Sequence, residues 1–278
     1  MTLIYIIIGL NVLFSWKGFE DYSFFEKFKF QTDRILHGKE YVRMVSSGFL
    51  HVNYMHLLFN MYAFYMFAEV LTVVFSDIEF ILLYLASLLA GNLLSLFVHR
   101  DHSNYSAVGA SGAVSGVIYA SIALIPDGGI GLIFIPGLYI PSWIFGIIYI
   151  LYTIFGIKSQ RDNIGHEAHL GGAIAGMILT VAYFHNQYVF NYVIIAAMLV
   201  PTFIFLYFVV YHPEWLLTGK INWSNNPISR YKNRDKSLGS RKEQKNRQAE
   251  LDDLLDRVND VGYVKLTDDE KRRLDQLR

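Results

Sequence analysis

The chain has 278 residues and a formal net charge of zero, with 53% hydrophobic, 16% aromatic and only 17% charged residues. Its apolar residues come in long runs, which is unusual in a soluble globular domain and typical of a membrane protein. Cysteine is absent, so disulfide bonds, a thiolate nucleophile and a cysteine-ligated metal site are excluded.

Seven segments are apolar enough to predict membrane spans, since a span needs about 20 mainly apolar residues. In chain order they are residues 1–16, 52–74, 78–98, 106–125, 141–157, 164–185 and 188–211. The first segment lacks the basic start and the cleavage site of a secretory signal, so we expect a retained, short span. The predicted fold class is all-α, a polytopic membrane helix bundle.

The segments between and after the spans differ in character. Residues 17–50 carry mixed charge and many aromatics, which is typical of a loop at headgroup level. Residues 130–141 include two prolines and predict a short hairpin or loop. Beyond the last span the chain is hydrophilic, with 15 Lys or Arg against 12 Asp or Glu. We therefore predict a membrane domain at 1–211 and a tail at 212–278 with a basic linker and a helical hairpin.

Three polar clusters lie close to the starts of the second, fourth and sixth spans. The first holds His56 and Asn60, the second is Gly-Ala-Ser-Gly at residues 109–112, and the third holds His166 and His169. Polar groups are costly in lipid, so their presence here indicates a functional site. Alternate spans run in the same direction, and we expect all three clusters on one side of the membrane at similar depth.

Ser111 lies among very small residues. A serine in a membrane helix usually bonds back to its own backbone, and glycines alone favour a plain helix contact. Beyond His169, Gly172 and Gly176 lie four residues apart on one helix face. Two such faces predict a close approach of the fourth and sixth spans, which would bring the Ser111 hydroxyl to the His169 imidazole. That contact is what base-assisted nucleophilic catalysis requires.

Other uses of the polar residues remain open at this point. A zincin pair needs two histidines four apart, whereas His166 and His169 are three apart, so we expect no metal. His56 and Asn60 share a helix face, and they either donate to a developing oxyanion or lock helices together. Glu167 points to a different helix face from His169 and cannot complete a triad, so the prediction is a Ser-His dyad.

These motifs resemble the signature of the rhomboid family of intramembrane serine proteases, over residues 1–211. The resemblance implies a six-helix core, to which the seventh span and the charged helical tail are additions. It implies that Ser111 is the nucleophile and His169 the general base. The oxyanion and supporting residues that we expect are His56, Asn60, Gly109 and His166. The implied substrates are transmembrane helices of single-pass or polytopic proteins in the lipid bilayer, with no cofactor, no metal and no nucleic-acid partner.

Two positions depart from the family pattern. Val42 precedes Arg43, where many members have a Trp-Arg pair. Ser115 stands where some members carry a tyrosine that packs on the catalytic histidine. Another group must then orient His169, and we expect His166 to help.

Two sequence criteria give opposite orientations of the chain in the membrane. With seven spans, all 24 Lys and Arg fall on the side of the catalytic clusters, which the positive-inside rule places in the cytoplasm. The family resemblance implies a cavity that opens away from the cytoplasm in bacterial members. We favour this orientation and leave the side of the tail undecided. We expect an integral multi-pass protein of a bacterial cytoplasmic (inner) membrane, with His51 at the membrane boundary.

Two hypotheses without protease activity compete with this interpretation. An inactive relative would bind and escort transmembrane helices, but such relatives usually lose the serine or the histidine, and both are present here. A small transporter or channel would use acidic residues within its spans, and only Glu69 is a candidate.

Overall fold

The computed structural model describes residues 2–132, 135–159 and 164–211, together with Thr267, Asp269, Arg272 and Arg273. The chain divides into two units, Met1–Ile221 and Asn222–Arg278, and the helices and strands named below belong to the first. The predicted basic linker and nearly all of the predicted helical hairpin lie outside the described residues. The predicted domain boundary after residue 211 therefore stays a prediction.

Helices dominate the described part of the first unit. They are α1 (Thr2–Glu20), α2 (Tyr22–Phe28), α3 (Thr32–Leu36), α4 (Arg43–Ser46), α5 (Tyr54–Leu71), α6 (Asp77–Val98), α7 (Ser111–Leu124), α8 (Ser142–Ser159), α9 (His166–Phe184) and α10 (Tyr192–Tyr211). A short 3-10 helix at Ser47–Phe49 follows α4. Each predicted span overlaps one of the long helices, α1 and α5 to α10, so the predicted all-α class is confirmed.

Two small antiparallel sheets connect the loops. Strand β1 (Phe30–Gln31) pairs with β2 (Ser106–Ala107), which ties the first loop to the segment that leads into α7. Strand β3 (Gly129–Leu132) pairs with β4 (Ile135–Pro141). This second pair forms the hairpin predicted for the proline-containing stretch before the fifth span.

Five of the described helices are long and apolar enough to cross a membrane by length and composition, namely α1, α6, α8, α9 and α10. The fifth helix, α5, has 18 residues and carries the polar side chains of His56, Asn60 and Glu69. The helix α7 is apolar but has only 14 residues. The prediction of a multi-pass membrane bundle is confirmed.

The short helix α7 lies at the centre of the bundle. Residues 112–123 are all buried, and α5, α6 and α9 pack around them. Most side chains of α7 are those of Gly, Ala, Ser and Val, which let neighbouring backbones come close. A helix that is enclosed by other helices need not match the thickness of the bilayer, which accounts for its length.

The starts of α5 and α6 are fixed by capping. The Asn53 side chain accepts a hydrogen bond from the His56 N–H at 2.8 Å, so His56 lies in the first turn of α5. Ser76 and Glu79 form a capping box at the start of α6. The polar cluster of the second span is thereby held at one end of its helix.

The first loop folds around Arg43, which is only 5% exposed. Its Nη1 donates to the carbonyl oxygens of Glu26 and Lys29, both at 2.8 Å, and its Nε donates to the Glu40 carboxylate at 2.6 Å. The hydrogen bond from Arg43 lowers the pKa of Glu40. Arg43 therefore organises this loop although Val42, and no tryptophan, precedes it.

Candidate active site

A sharp turn at Gly109 brings the chain to Ser111, the first residue of α7. Gly109 has a φ of +137°, which residues with a Cβ rarely adopt, and its N–H donates to the Ser47 carbonyl oxygen at 3.0 Å. A Cβ on Gly109 would lie 2.9 Å from His56 Cε1 and 3.6 Å from Ser111 Oγ. The missing side chain thus lets the His56 ring and the Ser111 hydroxyl border the same small space.

The helices α7 and α9 approach so closely that their backbones touch. A Cβ on Gly172 would collide with the carbonyl oxygen of Gly112. One turn further along, a Cβ on Gly176 would collide with the carbonyl oxygen of Gly116. The close approach of the fourth and sixth spans, predicted from their small residues, is therefore present in the structure.

Ser111 and His169 flank this contact on the two helices. A Cβ on Gly112 would lie 3.2 Å from the Ala168 carbonyl oxygen, and Ser111 and His169 are the chain neighbours of these two residues. Both side chains are partly exposed. Ser111 and His169 both lie in the described part of the chain, and no hydrogen bond joins their side chains directly. Hydrogen bonds between catalytic side chains are often long until the substrate binds.

The Nδ1 atom of His169 is engaged by a tyrosine that was not predicted from the sequence. It lies 3.0 Å from the hydroxyl oxygen of Tyr149 in α8, and the same oxygen lies 3.2 Å from Ser115 Oγ in α7. The two rings are nearly parallel, with 18° between their planes and 6.0 Å between centroids. Tyr149 lies in a largely apolar helix, and no sequence signal shows that it faces His169.

His166 packs beside His169 and against α8. Its ring meets the His169 ring edge-on at 6.0 Å and the Tyr152 ring edge-on at 5.1 Å. A Cβ on Gly156 would collide with the His166 ring, so the glycine makes room for it. The hydrogen-bonding partner of His169 is Tyr149, and His166 contributes ring contact.

His56 and Asn60 occupy one face of α5, as their spacing predicts. The Asn60 amide donates to the His56 carbonyl oxygen at 2.9 Å, and its side chain is buried. The His56 ring borders Gly109 and is partly exposed. His56 is therefore adjacent to the Ser111 hydroxyl, whereas the observed hydrogen bond of Asn60 stays within its own helix.

His51 is fully buried beneath the Gly109 turn, and its expected place at the membrane boundary stays a prediction. Its Nε2 accepts the N–H of Ala110 at 3.4 Å, and its Nδ1 lies 2.8 Å from Ser15 Oγ. Because Nε2 accepts, the ring proton is on Nδ1 and is donated to Ser15, whose own hydroxyl donates to the Phe49 carbonyl oxygen. This chain of contacts fixes the backbone immediately before Ser111.

Glu167 is held away from His169, as expected from its position on the helix. Its carboxylate lies 3.2 Å from His99 Nε2, and both side chains are buried. Within the described ranges, no group of three or more His, Asp or Glu side chains is arranged to hold a metal ion. Glu167 is therefore engaged by His99 and not by His169.

Two family models match the chain. Residues 38–186 match the Rhomboid domain, and residues 240–277 match a family of unknown function, DUF6576. RHOMBOID-like protein 12, mitochondrial, of Arabidopsis thaliana is 29% identical over 189 residues, which is 62% of this chain and 55% of the relative. Rhomboid protein 1, mitochondrial, of Saccharomyces cerevisiae is 29% identical over 188 residues, 64% of this chain and 52% of the relative.

A third relative is the presenilin-associated rhomboid-like protein, mitochondrial, of Homo sapiens, which is 30% identical over 149 residues, 51% of this chain and 38% of the relative. The chain spans about half or less of the length of these relatives. All three carry mitochondrial names, and this contradicts the bacterial cytoplasmic membrane predicted from the sequence. The prediction of a bacterial membrane is therefore wrong, whereas the predicted multi-pass membrane character is confirmed.

Proposed function

The chain belongs to the rhomboid family, and on that basis we propose that it is an intramembrane serine endopeptidase. Ser111 is the proposed nucleophile and His169 the proposed base. The observation that carries the proposal is the backbone contact between α7 and α9, which is flanked by these two partly exposed side chains. The proposed substrates are transmembrane helices of single-pass or polytopic proteins in the lipid bilayer.

The reaction needs only the hydroxyl, the imidazole and water. Ser111 Oγ attacks the substrate carbonyl carbon while its proton passes to His169 Nε2. The imidazolium then gives this proton to the departing amine nitrogen as the carbon–nitrogen bond breaks, which leaves an ester on Ser111. Water, deprotonated by His169, attacks the ester, and the proton returns to Ser111 Oγ as the acid product leaves.

The start of α7 supports the negative charge that develops on the substrate carbonyl oxygen. The first N–H groups of a helix have no partner within the helix, and the helix dipole favours negative charge there. The His56 ring borders the same space and is the proposed side-chain donor. Gly109 keeps that space open, and the contact from His51 to Ala110 holds the adjoining backbone.

Water reaches such a site only if it is shallow. Ser111 is the first residue of α7 and His169 the fourth of α9, so both lie within about 6 Å of a helix start at 1.5 Å per residue. Both side chains are also partly exposed, in contrast to the buried residues that follow Ser111. A substrate helix must unwind locally to present its carbonyl carbon here, so helix-destabilising residues near the cut favour cleavage.

Cleavage of a fluorescent single-span substrate in proteoliposomes tests the proposal. We expect the full chain to cut the substrate near one membrane surface, and Ser111→Ala and His169→Gln to lower the rate by about 1,000-fold or more. Ser121→Ala is the matched control, because Ser121 is another serine of α7 that is buried and lies ten residues from Ser111. It should cleave at the wild-type rate.

The outcome separates a protease from an inactive relative that binds helices. Cleavage that persists in Ser111→Ala would assign the chemistry to another residue. A wild type that binds a broad panel of single-span helices but cuts none of them would contradict the proposed peptidase and favour the escort function.

A further inference from the structure

Tyr149 connects the two helices that carry the proposed catalytic pair, although it belongs to neither. Its hydroxyl oxygen lies within hydrogen-bonding distance of His169 Nδ1 on α9 and of Ser115 Oγ on α7. Its ring is nearly parallel to the His169 imidazole and also to the Phe145 ring, whose centroid lies 5.8 Å away. The tyrosine is thus itself held in place, and it fixes the plane of the His169 ring.

Only one direction of these hydrogen bonds is compatible with His169 as a base. For Nε2 to accept the Ser111 proton, the neutral ring must carry its proton on Nδ1. The Nδ1–H then donates to the Tyr149 oxygen, and the single hydroxyl proton of Tyr149 goes to Ser115 Oγ. The imidazolium formed during the reaction also carries Nδ1–H, so the same arrangement serves both protonation states.

Ser115 is what makes this direction favourable. A tyrosine with no second partner would donate to Nδ1 equally well, which would place the ring proton on Nε2 and block the base. Ser115 is only 1% exposed and gives the tyrosine proton another acceptor away from water. Its small side chain also leaves room beside His169 for a ring that comes from α8.

We propose that Tyr149 is a positioning residue that holds His169 in the Nδ1–H tautomer, with Ser115 as the acceptor of the tyrosine proton. The proposal rests on the proposed peptidase function, in which His169 is the base. This neutral relay takes the place that an aspartate has in a catalytic triad, because Glu167 is paired with His99.

Kinetics of substitutions along the relay provide the first test. Tyr149→Phe keeps the ring and removes the hydroxyl, and we expect kcat to fall about 10-fold with KM unchanged. Ser115→Ala should lower kcat about 3-fold, since it removes only the outer hydrogen bond. The double variant should match Tyr149→Phe alone, because the Ser115 contact acts through the tyrosine. Tyr119→Phe is the control, since it removes a tyrosine hydroxyl that donates to the Gly146 carbonyl oxygen of α8.

The tautomer itself is measured by nitrogen-15 NMR of the nine labelled histidines of the full chain. The His169 signals are assigned from their absence in His169→Gln. We expect protonation at Nδ1 in the wild type and in Tyr119→Phe, and a shift toward Nε2 protonation in Tyr149→Phe and Ser115→Ala. A merely structural role for Tyr149 would leave the tautomer unchanged.

The proposal is overturned if wild-type His169 is protonated at Nε2, or if Tyr149→Phe keeps both the wild-type kcat and the wild-type spectrum. Effects of the two substitutions on kcat that multiply would also contradict a single relay. If the wild type cleaves no substrate, the peptidase proposal fails by itself, while the NMR measurement still decides whether Tyr149 sets the tautomer. Ser115→Ala provides the same test should Tyr149→Phe fail to fold.

Discussion

Alanine in place of Gly172 would insert a methyl group into the contact between α7 and α9. The three nearest atoms that its Cβ would meet all belong to the backbone of Gly112. Backbone atoms cannot rotate away as a flexible side chain can, so the two helices must move apart. Because Ser111 is the chain neighbour of Gly112, this separation acts directly on its distance from His169.

The size of the effect follows from the geometry. An ordinary contact of a Cβ measures 3.4–4 Å, and the helices must shift on the order of 1 Å to restore it here. Overpacking of this kind lowers the free energy of unfolding by about 1–3 kcal/mol. A displacement of about 1 Å at a reacting pair lowers the rate about 100-fold. We therefore expect Gly172→Ala to remain folded at low temperature while its kcat falls about 100-fold.

Initial cleavage rates in proteoliposomes and thermal unfolding in detergent measure the two effects separately. Gly9→Ala is the matched control, because a Cβ on Gly9 of α1 has no atom within 4 Å and alanine favours a helix. It should keep the wild-type kcat and unfold at the same temperature or higher. A Gly172→Ala variant with the wild-type kcat and unfolding temperature would refute the argument from helix contact.

Three further substitutions test the surroundings of the site. Gly109→Ala places a Cβ at a φ of +137° and in the space between the His56 ring and Ser111 Oγ, so kcat should fall about 100-fold. A wild-type initial rate would contradict the proposed role of that space in holding the oxyanion. His51→Phe keeps a ring but removes the acceptor of the Ala110 N–H, so kcat should fall about 10-fold in the same assay. An unchanged kcat would contradict a role of His51 in holding the backbone before Ser111. The pKa of Glu40 is lowered by the hydrogen bond from Arg43, so this contact stabilises the fold above the ordinary carboxyl pKa and is lost as pH falls through the lowered value. The unfolding temperature of Glu40→Gln should therefore drop less than that of the wild type between about pH 6 and about pH 3, and equal drops would contradict the linkage.

The helix contact at the site was predictable because small side chains have one clear physical meaning in a membrane. Gly172 and Gly176 lie one turn apart on a helix, and only another backbone can fill the space beside them. The polar residues at the starts of three alternate spans likewise had to share a side of the membrane. These local rules needed no knowledge of the loops.

The surroundings of His169 were not predictable in the same way. Tyr149 lies in an apolar helix whose faces are hard to tell apart by composition, so its side chain could point to lipid, to α7 or to α9. His51 precedes a helix, and its burial depends on how the first loop folds over Ser15. Both contacts depend on the rotation and tilt of whole helices, which hydrophobic periodicity does not specify.

The orientation in the membrane and the cellular location were also not predictable from sequence patterns. Positive charge and family resemblance gave opposite orientations, and the relatives carry mitochondrial names although a bacterial membrane was expected. The tail at 212–278 lies almost wholly outside the described residues, so its helical hairpin stays a prediction.

Covalent labelling of Ser111 by a fluorophosphonate, mapped by mass spectrometry of the full chain in proteoliposomes, tests the central claim most directly. If His169 activates Ser111, the label should be found on Ser111 in the wild type and in Ser121→Ala, and it should be lost in His169→Gln. Labelling of another serine, or equal labelling of Ser111 with and without His169, would contradict the account.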